Sequence, residues 1–232
     1  MKWDDKLLYD LNWSSEIINY DQKLTVGKQL AEKANNGDVI GFGSGSTSFL
    51  AVLEISKRIK NEGINICAVP TSKEIELTCY ALGIQTLSIN CAYPDWSFDG
   101  ADEVDSSGNL IKGRGGAMFN EKLIMRCSMK NFILVDETKL VSKLGANFPV
   151  PIEVSPNALM YVKKCVFDIG ATKLTLRPAK GKDGPIITEN GNFILDANFD
   201  SISAELESQI KSITGVIESG LFWGYPVDVI KS

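Results

Sequence analysis

The stretch "IKGRGGAMFNEKLI" sets Lys112 at the head of a glycine-rich loop and Glu121 on the helix that the loop opens. Backbone N–H groups of such a loop can hold a developing oxyanion, and a carboxylate on the adjoining helix can serve as base. Just upstream, "FDGADEVD" presents Asp99, Asp102, Glu103 and Asp105 in one turn. A calcium loop needs acids on alternate positions and a closing glutamate. Here the spacing from Asp99 to Asp102 to Asp105 differs, and Leu110 stands at the closing position. Two readings are left for the turn: a solvated acidic surface, or acids working with Lys112 and Glu121.

A third stretch, "VIGFGSGSTSFL", runs from an apolar strand through glycines on alternate positions into Ser46, Thr47 and a helix. N–H groups at a helix start, backed by the macrodipole, favour an anion. The two hydroxyls add donors. The dinucleotide fingerprint needs glycine where Ser46 stands, and the Walker loop needs a Gly-Lys pair that is missing. A small phosphate monoester fits better than a nucleotide, with a plain tight turn as the other reading. "PTSKE" supplies a second Ser/Thr-plus-Lys loop, and "VDETKLV" places Lys139 after another strand. Taken singly, either lysine reads as a solvated surface cation.

Composition narrows the chemistry further. The 232 residues contain no histidine. That excludes Ser-His-Asp and Cys-His arrangements and every histidine-containing metal site. Proton transfer falls to Asp, Glu, Lys, Tyr or Cys. Net charge is −5, which argues against a nucleic-acid footprint. Five scattered cysteines, with no C-x-x-C, read as reduced and mostly buried thiols. No apolar run approaches the roughly 20 residues that span a bilayer. The N-terminus has mixed charge and no signal-peptide core, so a cytoplasmic protein without membrane partners is expected.

These groups need a scaffold, and the chain alternates strand and helix through most of its length. Helices are expected over residues 21–35, 48–60, 72–82 and 118–129. Strands are expected at 39–43, "INICAVP", "IQTLSI", the start of "WSFDGADEVD", and "NFILVD". Such alternation means a parallel sheet covered by helices, with ligands beyond the carboxyl ends of its strands. "FPVPIEV", with two prolines, breaks the pattern. After it, "ATKLTLRP" and "NFILDANF" read as strands and residues 201–213 as a helix. The fold class is α/β: a Rossmann-like parallel-sheet domain over 1–147 plus about 227–232, and a smaller ferredoxin-like α+β domain over 148–226.

The segments "GFGSGST", "TSKE", "FDGADEVD", "IKGRGGAMFNEK", "VDETKLVSKLG", "PVPIEV", "ENGNFILD" and "GVIESGLF" occur in the order and spacing of a known family. From about Asp21 onward the chain resembles type A ribose-5-phosphate isomerases. The resemblance implies interconversion of ribose 5-phosphate and ribulose 5-phosphate, in the non-oxidative pentose phosphate pathway, with no metal and no organic cofactor. It implies that Glu121 moves the proton between C2 and C1. Asp99, Asp102 and Lys112 then line the reacting end. Ser46, Thr47 and Lys139 hold phosphate with the backbone of Gly43, Ser44 and Gly45, and Lys23 matches the family's N-terminal lysine there. Thr71 and Ser72 match the other substrate loop, and Gly100, Gly113, Arg114 and Gly115 complete the substrate contacts. It also implies a homodimer or homotetramer, with the smaller domain near the subunit interface. Arg114 departs from the family, which usually has glycine there; its N–H survives, and its side chain must point away or pair with an acid. About 20 residues precede the family's usual start. The competing reading is a non-catalytic sugar-phosphate sensor of the same fold, which would be expected to lack Glu121 or Asp99.

Overall fold

The computed structural model describes residues 16–232, so most of the expected N-terminal extension lies outside the described residues. The first elements are α1 (Tyr20–Ala31), β1 (Val39–Phe42), α2 (Ser46–Glu62), β2 (Cys67–Pro70), α3 (Lys73–Leu82), β3 (Gln85–Thr86) and β4 (Trp96–Gly100). Next come β5 (Glu103–Val104), β6 (Leu110–Ile111), α4 (Met118–Cys127), β7 (Asn131–Val135), β8 (Val150–Val154) and α5 (Leu159–Asp168). The chain ends with β9 (Ala171–Leu176), β10 (Phe193–Phe199), α6 (Ala204–Ser212), β11 (Val216–Ser219), β12 (Leu221–Phe222) and β13 (Asp228–Lys231).

The described residues form two compact units, with crossings after Gly100, Lys122, Glu137 and Pro226. The first unit carries a six-stranded parallel sheet in the order β13-β7-β4-β1-β2-β3. Its core includes Ile40, Phe42, Ile55, Ala68, Ile75, Phe98 and Leu134. Trp96 stacks edge-on against Phe132 at 5.7 Å, and its indole N–H donates to Asp38 at 2.9 Å. That bond and one from Val39 N–H to Asp95 fix the register of β1 against β4. The strand order reverses between β1 and β4, because β2 and β3 lie to one side and β7 and β13 to the other. In an open α/β sheet this is where a crevice opens beyond the strand carboxyl ends.

The second unit holds the other two sheets. One is antiparallel, β11-β8-β10-β9, with α5 between β8 and β9 and α6 between β10 and β11. This β-α-β-β-α-β order is ferredoxin-like, as expected. Its core runs from Val150, Ile152 and Val154 to Val162, Leu195 and Ile210. The other is the small antiparallel sheet β12-β6-β5.

Several details differ from expectation. "FPVPIEV", where the alternation stops, is itself β8, a strand with partners on both sides. Pro151 lies just past the end of the β11 ladder, which stops opposite Ile152, and its carbonyl still accepts from Gly220 N–H at 2.7 Å. The first helix stops at Ala31, after which Lys33 and Ala34 donate to carbonyls three residues back and tighten the turn. "IQTLSI" pairs only over Gln85–Thr86, at the sheet edge. The contacts divide the chain differently from the expected boundary at residue 148, since 101–122 and 138–147 belong to the second unit. All five cysteines are free, but only Cys79 is fully buried, where desolvation pushes its thiol up to about 12.

Lys122 illustrates how the second unit is fastened. Its ammonium, 4% exposed, donates to Glu207 at 2.7 Å, Glu218 at 3.0 Å and the Leu221 carbonyl at 2.9 Å. It also lies over the Phe222 ring at 4.6 Å. Lys122 and Ser219 N–H both hold the Glu218 carboxyl below the ordinary range, against the desolvation that raises it. Lys122→Met would leave the half-buried Glu207 without its cation and the buried Glu218 with Lys211 alone. A loss of about 3–5 kcal/mol is expected, measured by urea denaturation.

Candidate active site

In the first unit, β1 runs into a turn at residues 43–45 and then into α2. A Cβ on Gly43 would lie 2.4 Å from the Asp99 carboxyl and from the Phe98 carbonyl, so only glycine lets the turn pack onto β4. The Asp99 carboxyl, 6% exposed, accepts from Ser44 N–H at 3.1 Å and Gly100 N–H at 2.8 Å. Helix α2 begins with Gly45 as cap, with no side-chain cap and no acid in its first turn. The positive end of the helix dipole is therefore not met by an anion of its own helix.

Hydroxyls gather around that turn. Ser44 Oγ lies 2.6 Å from Thr71 Oγ1 and donates to Ser72 Oγ at 2.7 Å. Ser72 in turn caps α3, accepting from Ile75 N–H at 3.4 Å. Lys23, from the half-buried face of α1, donates to Ser46 Oγ at 3.0 Å. Thr47 and Thr71 are buried. Lys23, residues 43–47, Thr71, Ser72, Asp99 and Gly100, chosen from sequence as site residues, thus lie together within this unit.

In the second unit, hairpin β5–β6 brings Asp102 and Lys112 to its two open ends. Asp102 N–H donates to the Ile111 carbonyl at 2.8 Å, and Lys112 N–H to the Gly220 carbonyl at 2.8 Å. The hairpin turn is closed by Asp105, which accepts from Ser107 N–H and Asn109 N–H, both at 2.9 Å. Gly113, at φ +97°, then swings the loop into the left-handed region that side chains resist. Helix α4 follows and carries Glu121 in its first turn. Lys112 Nζ meets Glu121 Oε2 at 3.2 Å, with side chains only 3% and 5% exposed. The Lys112 ammonium also lies 5.7 Å from the Phe222 ring centre.

Asp102 completes this set. Its Oδ2 accepts from Arg114 N–H at 3.2 Å. Burial raises its carboxyl above the ordinary range, Glu121 pushes the same way, and Lys112, Lys139 and the Arg114 N–H oppose them. Arg114 itself is exposed, and its backbone N–H is what meets Asp102. Lys139, half-buried with its ammonium 4.9 Å from the Phe148 ring, lies in this second unit. A cavity of ≈ 750 Å³ beside Asp102 is lined by Arg114, Phe148, Arg177, Lys182 and Asp196 among others.

The acidic turn is not a solvated surface: Asp99 and Glu103 are buried. Glu103 was not among the site residues named from sequence. It is fully buried and accepts from Gly145 N–H at 2.6 Å, Asn147 N–H at 2.5 Å and Phe148 N–H at 2.9 Å. It ties residues 145–148 to β5, just after Asp102. The only sequence signal for it is period two: in a short strand, Glu103 points opposite to Asp102 and Val104. Among the described residues no group of His, Cys, Asp and Glu could hold a metal ion.

An open parallel sheet with a glycine turn at its switch point, joined to a ferredoxin-like unit, defines an α/β protein of the small-molecule-binding class. The family model for Ribose 5-phosphate isomerase A (phosphoriboisomerase A) matches residues 67–232. The chain belongs to that family. It is 42% identical over 195 residues to a ribose-5-phosphate isomerase A of Methanothermobacter thermautotrophicus, covering 83% of this chain and 85% of the relative. Among solved structures, ribose 5-phosphate isomerase A of Methanocaldococcus jannaschii superposes with a TM-score of 0.88 at 38% identity, covering 92% of this chain and 96% of that one. A D-ribose-5-phosphate isomerase in complex with phospho-erythronic acid gives 0.87 at 38% identity, covering 90% and 94%.

Asp102 carries a sign that pH can read. A carboxyl raised in the folded state favours folding while protonated and loses that contribution as pH rises through the folded value. At neutral pH, Asp102→Asn removes the buried charge. The variant should therefore melt higher than the parent near pH 7, by about 2–4 °C per kcal/mol relieved. The gain should vanish below the ordinary aspartate range. Thermal melts across pH check it.

Proposed function

We propose that this chain interconverts D-ribose 5-phosphate and D-ribulose 5-phosphate by carboxylate-mediated proton transfer through an enediolate. The observation that carries the reading is the Glu121 carboxylate buried against Lys112 beside a glycine loop. A proton next to a carbonyl is weakly acidic, so its removal needs a base and a stabilised enediolate together. Glu121 moves the proton between C2 and C1. Lys112 and the Gly115 N–H stabilise the oxygen where charge develops, each worth about 2.7–4 kcal/mol if well aimed. The Arg114 N–H, expected from sequence to join them, instead holds Asp102 in the right place. Asp102 and Asp99 handle protons at the sugar oxygens during ring opening; the raised carboxyl of Asp102 suits a group that must carry one.

The phosphate end is assigned to the first turn of α2 with Ser46, Thr47 and Lys23, joined by Lys139. Thr71 and Ser72 contact the sugar. Binding energy gained at the phosphate positions the carbons against the base. No metal or organic cofactor enters this scheme. A sensor of the same fold has no use for a buried carboxylate–lysine pair, and here both members are kept.

The test is conversion of ribose 5-phosphate by EDTA-treated protein beside Glu121→Gln. A fall in kcat of about 10²–10⁴ is expected, the range of general base catalysis. Equal activity in both proteins would remove Glu121 as the base. The same proposal places the protein in the cytoplasm as a homodimer or homotetramer, supported by the family resemblance. Sedimentation of the purified chain should show two or four copies. Among the described residues, no helix is long and apolar enough to cross a membrane.

A further inference from the structure

We propose that Arg177, clamped by Asp196, is a positioning residue that fixes the two peptide N–H groups following Gly113 on which the reacting end depends. The proposal rests on the isomerase reading above and adds to it a residue from outside the expected site.

Arg177 follows β9, and its backbone is pinned on both sides. Its N–H donates to the Ile194 carbonyl at 2.9 Å, and its carbonyl accepts from Ile186 N–H at 3.0 Å. Its guanidinium forks onto Asp196 of β10. Nε donates to Oδ2 at 2.8 Å, and Nη2 donates to Oδ1. The two side chains are only 16% and 17% exposed. A bidentate, partly buried pair of this kind fixes the guanidinium plane. The remaining nitrogen, Nη1, is thereby aimed at the glycine loop. It donates to the Gly113 carbonyl at 3.0 Å and to the Arg114 carbonyl at 2.7 Å.

Those two carbonyls matter through the peptide planes to which they belong. In a trans peptide the C=O and the following N–H point in opposite directions. Fixing the Gly113 carbonyl therefore fixes the Arg114 N–H, which is the donor to Asp102 Oδ2. Fixing the Arg114 carbonyl fixes the Gly115 N–H, the amide assigned to the enediolate oxygen. Both N–H groups point away from the guanidinium. The loop has little stiffness of its own: three of the four positions 113–116 are glycine, and Gly116 N–H donates to the Gly113 carbonyl at 3.2 Å. One guanidinium thus sets two consecutive peptide planes against a rigid sheet. A lysine ammonium could supply the charge but not the fork and the aimed third nitrogen together.

The test compares Arg177→Met, Arg177→Lys and Asp196→Asn with the parent and with Glu121→Gln, reading kcat, KM and amide hydrogen exchange. Arg177→Met and Arg177→Lys should each lower kcat by about tenfold to a hundredfold, the usual cost of a small misplacement. KM should stay within about twofold, because the substrate's phosphate end is untouched. Exchange at Arg114 and Gly115 should quicken about tenfold or more, while amides of β8 and β10 keep their rates. The Arg177→Met/Asp196→Asn double variant should be no worse than Arg177→Met alone, as expected of residues acting as one unit. Unchanged kcat, a rise in KM with kcat kept, or unchanged loop exchange would each overturn the proposal. An inactive parent, or full activity in Glu121→Gln, would instead overturn the isomerase mechanism. In that case unchanged exchange in Arg177→Met still refutes the fixing of the loop.

Discussion

The second unit is organised around one awkward interaction, the Lys112–Glu121 pair with both side chains almost out of water. Removing two ions from water costs several kcal/mol each, and a single contact at 3.2 Å recovers that only when the surroundings hold the geometry. The neighbouring elements supply that restraint. Lys112 leaves β6 with its N–H bound to the Gly220 carbonyl, so the small β12-β6-β5 sheet sets where its stem begins. Glu121 sits in the first turn of α4, where the helix dipole favours a negative charge. Its rotation about the helix axis is set by its neighbour. Consecutive helical residues point about 100° apart, and Lys122 is locked between Glu207, Glu218 and the Leu221 carbonyl. Burial of Glu121 is thus enforced by a second buried lysine one position on.

The first unit poses a different problem, a buried aspartate beside a helix N-terminus. Asp99 is buried next to the turn that opens α2. Its Oδ1 is met by two backbone N–H groups, from Ser44 and Gly100, so its charge is answered locally. The start of α2 has no acid and no side-chain cap. The hydroxyls of Ser44, Thr71 and Ser72 bind one another nearby, and Lys23 reaches Ser46. All of this follows from strand order, because the turns after β1 and β4 lie on either side of the point where the sheet reverses direction.

The order of strands and helices was legible because hydrophobic period and glycine placement are local properties. So were the glycine loops and most of the residues around them, including Ser44, Ser72, Lys112 and Glu121. What sequence concealed depends on distant partners. The prolines of "FPVPIEV" mark the end of the alternation, but not that the segment is a strand paired on both sides. Residues 101–122 read as part of the large sheet domain, but their hairpin pairs with β12, more than a hundred residues later. Arg177 and Asp196 sit in strand-like runs with nothing to mark them. Their meaning comes from cross-strand pairing and from two carbonyls over sixty residues upstream. The cysteines were over-assigned to the interior because burial statistics for a residue type do not fix single positions.

The acidic segment shows how closely spaced carboxylates are separated in kind by their backbone partners. Glu103 accepts three backbone N–H groups from residues 145–148 and is fully buried, so its oxygens are occupied with holding a loop. Asp102, one residue earlier, accepts a single backbone N–H, from Arg114, and burial is the largest influence on it. Burial with a single donor moves the Asp102 carboxyl toward the protonated form. Glu103, through its three backbone partners, fixes the backbone from which Asp102 projects. Alternation along a two-residue strand is enough to send them to opposite faces. A motif that reads as a cluster of like charges is thus resolved by the pleat into one carboxylate that holds the 145–148 loop and one that meets the Arg114 N–H.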